Sequence, residues 1–310
     1  MTFGTMLSSV AELRLTIFGK GAAVTRDDFF RALAFDANGD AFADLLADIA
    51  AEIILEQAEP PRYVTVEDAA WLIGAIHAHP LPYAVEIRML TQTMGRALSL
   101  PDSLSRFLLA EIEAAIVTGR RDHPAGLIDS RDVEALRCAV YATDEGASLH
   151  VTRPEAETLF RIAHAGLRID PAFNDFFAKA VGNHLMGIVH RGGLSRGDRK
   201  QLEAFANSPA PSLGEFLGGM FSAVSLPTRD DLDDVSARAG VRLRERDAAD
   251  SAARAVAERI DEEETAWLVA NLSRDGALTS AERALLVFIE GEMAGKPSPA
   301  LRTLFARAQA

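Results

Sequence analysis

The chain has 310 residues, 48% of them hydrophobic and 25% charged, with 22 glycines, 13 prolines and one cysteine. That length suits about two domains and a core that needs no covalent staple, and the composition excludes a disordered polymer, a collagen-like repeat and a disulfide scaffold. Asp and Glu outnumber Lys and Arg by 45 to 32, a formal charge of −13, so a phosphate backbone is repelled at long range and no nucleic-acid partner is expected.

The opening segment, MTFGTMLSSVAELRL, has no basic stretch followed by a long apolar run, and no signal peptide is expected there. No stretch approaches 18 uninterrupted apolar residues, so no membrane association is expected either. The expected location is cytoplasmic. Cys138 lies in an apolar-periodic segment and reads as a small buried hydrophobe rather than a nucleophile.

Along the chain the hydrophobic rhythm has the 3.6-residue period of helices. Phe42, Leu45, Leu46, Ile49 and Ile53 mark one face, and Val133, Leu136 and Val140 another. Leu159 and Ile162 mark a third, and Leu285, Leu286 and Ile289 a fourth. Alternating β-branched residues are confined to short runs such as Tyr63-Val64-Thr65-Val66. An all-α fold is predicted, in which helical hairpins pack into a multi-lobed bundle.

Helix starts are marked by an apolar residue, a threonine and an acid three positions later. The pattern occurs at Val24-Thr25 with Asp28, Val64-Thr65 with Asp68, Val151-Thr152 with Glu155, and Leu278-Thr279 with Glu282. Leu194-Ser195 with Asp198 repeats it with serine. The hydroxyl accepts from a free helix N–H while the carboxylate reaches back or complements the dipole. Ser298-Pro299 predicts a last helix with serine as cap and proline first.

Loops rich in Pro or Gly at 122–126 and 207–211 suggest three lobes, residues 1–125, 126–206 and 207–310. Residues 229–264 are dense in Asp, Glu and Arg and read as a solvated helix pair.

The chain also resembles itself. EDAAWLIGAI at 67–76 and EETAWLVANL at 263–272 align Glu67 with Glu263, Trp71 with Trp267 and Leu72 with Leu268, and at the same spacing Glu86 with Glu282. These are the only two tryptophans in the sequence. Each unit reads as a helix, a short turn, a capped start and a second helix. One such hairpin buries too little alone, so stacked hairpins are expected to share a core.

The turn at 271–282 carries chemistry. Asn271, Ser273, Asp275 and Glu282 stand at positions 1, 3, 5 and 12 of a twelve-residue loop, with Gly276 at position 6 and Leu278 at position 8. Over about 30 residues this resembles the EF-hand family, which implies calcium held by those four side-chain oxygens. Only Asp275 and Glu282 carry charge, so any affinity is expected to be weak. The run Asp-Gly-x-apolar-Thr-x-x-Glu is also similar to the tellurite-resistance (TerB-like) helical domains.

His77, His79 and Glu86 read as a polar loop, with transition-metal binding by an extended His-Ala-His segment as the alternative. Gly193-Leu194-Ser195-Arg196-Gly197 has the letters of a nucleophile elbow, but that turn needs a preceding strand where this sequence predicts a helix. No catalytic residue is expected. The function predicted is a non-enzymatic interaction or regulatory protein that binds a partner protein or peptide between its hairpins. The alternative is a divalent-metal (calcium) or metal-stress protein.

Overall fold

Capping and apolar periodicity place the helices. The computed structural model describes residues 9–35, 37–141, 151–185, 260, 262–272, 277–292 and 297–309. By contact the chain divides into two compact units, Met1–Ala147 with Arg161–Phe173, and Ser148–Phe160 with Asn174–Ala310. The helices are α1 (Val10–Phe18), α2 (Arg26–Leu33), α3 (Asp40–Ala51), α4 (Val66–Ala78), α5 (Tyr83–Arg96), α6 (Asp102–Thr118), α7 (Ser130–Tyr141), α8 (Arg153–Ala165), α9 (Pro171–Leu185), α10 (Glu262–Leu272), α11 (Ser280–Glu292) and α12 (Pro299–Gln309). Among the described residues the only strands are β1 (Leu127–Ile128) and β2 (Arg168–Ile169). The fold is an all-α, multi-helix bundle, and none of its described helices is long and apolar enough to cross a membrane.

In the first unit α3 packs mainly on α5, α5 also on α7, and α6 on α7, with α4 on α6 and both α1 and α2 on α3. The apolar face read from the sequence is the buried one. Phe42, Leu45, Leu46 and Ile49 are almost fully inaccessible to solvent, and burial of each such side chain contributes about 1.5–3 kcal/mol.

Ile53 departs from the expectation. The helix passes into a π-helical turn at Glu52–Glu56, where Gln57 N–H donates to the Glu52 carbonyl. The wider turn shifts the rotation of the following side chains, so Ile54 and Leu55 enter the core and Ile53 is only half-buried.

All four threonine starts form. Thr25 makes a full capping box with Asp28. Thr65 accepts from Asp68 N–H at 3.1 Å. Thr152 N–H donates to the Glu155 carboxylate at 2.8 Å, and Thr279 N–H to Glu282 at 2.7 Å. Ser298 accepts from Leu301 N–H at the start of α12. The serine start at Ser195 lies outside the described residues, as do the loop at 207–211 and most of 229–264.

Two short parallel contacts tie loops together within the first unit. Tyr63 bridges Ser99, while Leu127 pairs with Arg168 and Ile128 with Ile169. Gly126 makes the second contact achievable. Its φ is +73°, and a Cβ there would lie 2.8 Å from Leu167 Cγ. Only glycine combines that backbone with that approach. The loop at 122–126 thus lies inside the first unit, with α6 and α7 packed together on either side of it.

In the second unit α11 and α10 both pack on α12. Trp267 is buried there, with its ring 5.7 Å from Phe160 and 5.0 Å from His184.

Candidate functional site

A recess in the first unit lies between α5, α7 and the loop before α7. Its volume is about 150 Å³. Asp129 and Asp132 build one wall through reciprocal capping of α7: Asp129 N–H donates to Asp132 Oδ2 at 2.7 Å, and Asp132 N–H to Asp129 Oδ1 at 3.1 Å. The box aims the second oxygen of Asp132 at α5, where the Tyr83 hydroxyl donates to it at 2.7 Å. Both side chains are buried.

His123 stacks against Tyr83, with ring centres 4.4 Å apart. Its Nε2 lies 3.1 Å from the Leu127 carbonyl oxygen. A carbonyl only accepts, so Nε2 carries the proton in that contact. The same nitrogen is 3.6 Å from Asp132 Oδ2.

Burial is the main cause of the altered acidities here. It pushes the Tyr83 phenol well above its ordinary range, reinforced by the negative charge of Asp132. It also pushes the Asp132 carboxyl up, against the lowering effect of its hydrogen bonds from Asp129 N–H and Tyr83. Tyr83 therefore keeps its proton and donates it to Asp132, while His123 spends its own on the Leu127 carbonyl. Such a set holds a shape better than it moves protons.

Behind Tyr83, Arg120 anchors the arrangement. Its guanidinium donates to both oxygens of buried Glu86 at 3.3 and 3.0 Å, to Glu111 at 2.9 Å and to the Leu81 carbonyl at 3.1 Å. Its Cζ stands 5.6 Å from the Tyr83 ring centre. Burial pushes Glu86 up, and the Arg120 hydrogen bonds act against it.

On the α5 wall, Arg88 is held by Asp44 at 2.6 and 3.3 Å. The Gln92 amide nitrogen donates to the same carboxylate at 2.8 Å. Two wall atoms, Thr91 Oγ1 and Gln92 Oε1, are buried with no hydrogen-bond partner.

The residues singled out in the sequence are placed differently. Asn271, at the end of α10, is buried, and its amide nitrogen donates to the Trp267 carbonyl at 2.9 Å. Glu282 is buried as the capping acid of α11. Ser273, Asp275 and Gly276 lie outside the described residues. Among the described residues no three His, Cys, Asp or Glu side chains gather in a way that could hold a metal ion.

His77 and His79 are not on an extended segment as expected. Helix α4 runs through Ala78 and its last backbone bonds include His79 N–H. His77 packs edge-on against Phe107 at 5.3 Å and His79 faces Phe30 at 5.9 Å, while Glu86 belongs to Arg120. The three diverge.

Tyr83, His123 and Asp132 were not singled out from the sequence. One signal was available: Ile128-Asp129-x-x-Asp132 is the apolar, cap, x, x, acid pattern with aspartate in place of threonine. Nothing local marks Tyr83 or His123.

Compared with known proteins, the chain matches no family model, no curated protein and no solved structure.

Proposed function

We propose that this protein is a non-catalytic helical interaction protein, built from EF-hand-like hairpins, that engages a partner protein or peptide at the recess between α5 and α7. The observation that carries the reading is the recess itself. Its walls are fixed by the Tyr83, Asp132 and His123 network, whose polar groups are spent on structure rather than poised for reaction.

The matching burial of Leu72 and Leu268, and of Glu86 and Glu282, supports a hairpin used twice in the chain. A fold with one half-buried cysteine needs no oxidising compartment, which supports a cytoplasmic setting.

The test is a peptide-display selection on the whole protein, followed by affinity measurement of the enriched peptides against the wild type and Ala84→Trp. Ala84 lines the recess and is half-buried, so the indole fills space without entering the core. The expected result is a loss of roughly tenfold or more in affinity with an unchanged melting curve. Peptides that bind both proteins equally would place the interaction elsewhere and overturn the reading.

A further inference from the structure

We infer that the recess between α5 and α7 selects a positively charged nitrogen group, a guanidinium or a primary ammonium, on its occupant. The inference rests on the reading of this recess as the partner-binding surface, and it adds the chemistry that the surface recognises.

The charges around the opening do not balance. Arg88 lines the recess, but its charge is met by Asp44, and by Asp40 at 3.8 Å, neither of which lines it. Arg131 is matched by Asp129 at 3.6 Å. That leaves Asp122 and Glu134, with the charge of Asp132 behind them, its oxygens already taken by Tyr83 and the Asp129 N–H. Among the described residues Asp122 accepts an α5 N–H, from Ala84 at 3.3 Å, and meets Arg120 only at longer range. Glu134 is exposed at the rim, where it acts on Arg88 at longer range but makes no ion pair among the described residues.

The neutral groups point the same way. Gln92 commits its nitrogen to Asp44, and its Oε1, a pure acceptor, is buried beside the wall with no donor to meet it. The Tyr83 hydroxyl spends its donor on Asp132, so its oxygen has only lone pairs left. A wall with acceptors behind it and surplus carboxylates at its rim is complementary to a group that brings N–H donors and a positive charge.

Size and polarity agree. The volume of about 150 Å³ far exceeds the roughly 10–15 Å³ that one water needs. Ile87 and Leu127 give apolar surface for the methylene stem of a lysine or arginine. A cation near buried Asp132 would also relieve the burial that pushes its carboxyl up. The overall charge of −13 favours the approach of such a partner.

The probes are Ac-Gly-Arg-Gly-amide, its neutral isostere Ac-Gly-citrulline-Gly-amide, and agmatine as a free guanidine, each titrated into the whole protein. The backbone amide signals of Leu127, Asp129 and Asp132 are followed by NMR. The arginine peptide is expected to saturate these signals with an affinity roughly tenfold above that of the citrulline peptide. Glu134→Gln and Asp122→Asn, both at exposed positions, are each expected to weaken it about threefold and to flatten its salt dependence.

Equal binding of the arginine and citrulline peptides would overturn the charge selection while leaving the partner surface intact. Saturation by agmatine without the arginine peptide would support the cation site and overturn the peptide-binding reading. No shift with any probe would overturn the inference, whereas the partner surface stands or falls separately on Ala84→Trp.

Discussion

The guanidinium of Arg26 lies over the indole of Trp71, 4.8 Å from the ring centre. Arg153 stands over Trp267 in the same way at 5.7 Å. Each arginine is the first helical residue after a Val-Thr cap, Val24-Thr25 and Val151-Thr152. Each also pairs with an acid one turn before the tryptophan, Asp68 at 2.7 Å and Glu263 at 3.7 Å. The two tryptophans, aligned from the sequence, thus have like neighbours, each within its own unit. Cation–π contact of this kind contributes about 0.5–1 kcal/mol at half-exposed sites.

The two indoles differ in one respect that can be measured. Trp267 Nε1 donates to Glu157 at 3.2 Å, whereas Trp71 Nε1 is buried without a partner. Phenylalanine removes a bond in one case and an unmet donor in the other. Trp267→Phe is expected to lose roughly 1 kcal/mol more than Trp71→Phe, read from denaturant melts of each variant against the wild type. Equal losses would contradict the assigned bond.

Arg120 is the sole cation on buried Glu86 among the described residues. Arg120→Ala leaves that carboxylate buried and unpaired and is expected to cost about 3–5 kcal/mol. Replacing both partners, as Arg120→Met with Glu86→Leu, is expected to recover most of the loss, because the cost lies in the orphaned charge. Thermal unfolding of the single and double variants gives the coupling directly. A double variant no better than the single would indicate that packing, not charge, dominates.

Asp28 sets a pH dependence. Burial alone would raise its carboxyl, but hydrogen bonds from the Lys20 ammonium and from Thr25 N–H and hydroxyl outweigh that and hold it at about 2, below the ordinary 3.8. A depressed folded value contributes stability above the unfolded pKa that disappears as pH falls through the folded one. Wild type is therefore expected to exceed Asp28→Asn by on the order of 2 kcal/mol above pH 4. The gap should close as pH falls toward 2. A constant difference across that window, measured by urea melts, would remove the carboxylate as its source.

Calcium offers a fourth measurement. The EF-hand-like loop brings only two carboxylates, Asp275 and Glu282. Glu282 serves as a helix cap, and the Asn271 amide is tied to Trp267. Hard cations of this size take six to eight oxygen ligands and depend on ligand charge for affinity. Calorimetry at millimolar calcium is expected to give no binding heat, with the unfolding midpoint unchanged. A saturable heat that Glu282→Gln abolishes would restore the ion site.

Much of the helical framework was legible because it is local. Thr25 and Asp28, or Thr279 and Glu282, sit three residues apart, and a helix start needs little else. Periodicity likewise located the buried face of α3 through Ile49. It missed the shift at Ile53, since a π-turn changes the rotation without leaving a mark in the apolar pattern.

The candidate recess was legible only in part. Asp129 and Asp132 follow the capping pattern, yet the partner of Asp132 is Tyr83, far away in the chain and carrying no motif. His77 and His79 mislead in the opposite direction, because adjacency in sequence does not make two side chains converge once a helix turns them apart.

From the amino-acid order alone came the helical class, the capped starts and the correspondence of Trp71 with Trp267, all of which depend on spacings of a few residues or on direct comparison of segments. Only the packing of the first unit decided that a tyrosine, a histidine and an aspartate would close around one recess, and that Glu86 on α5 would meet Arg120 from the loop after α6. Those pairings are settled by which helical faces meet, and that is a property of the assembled core.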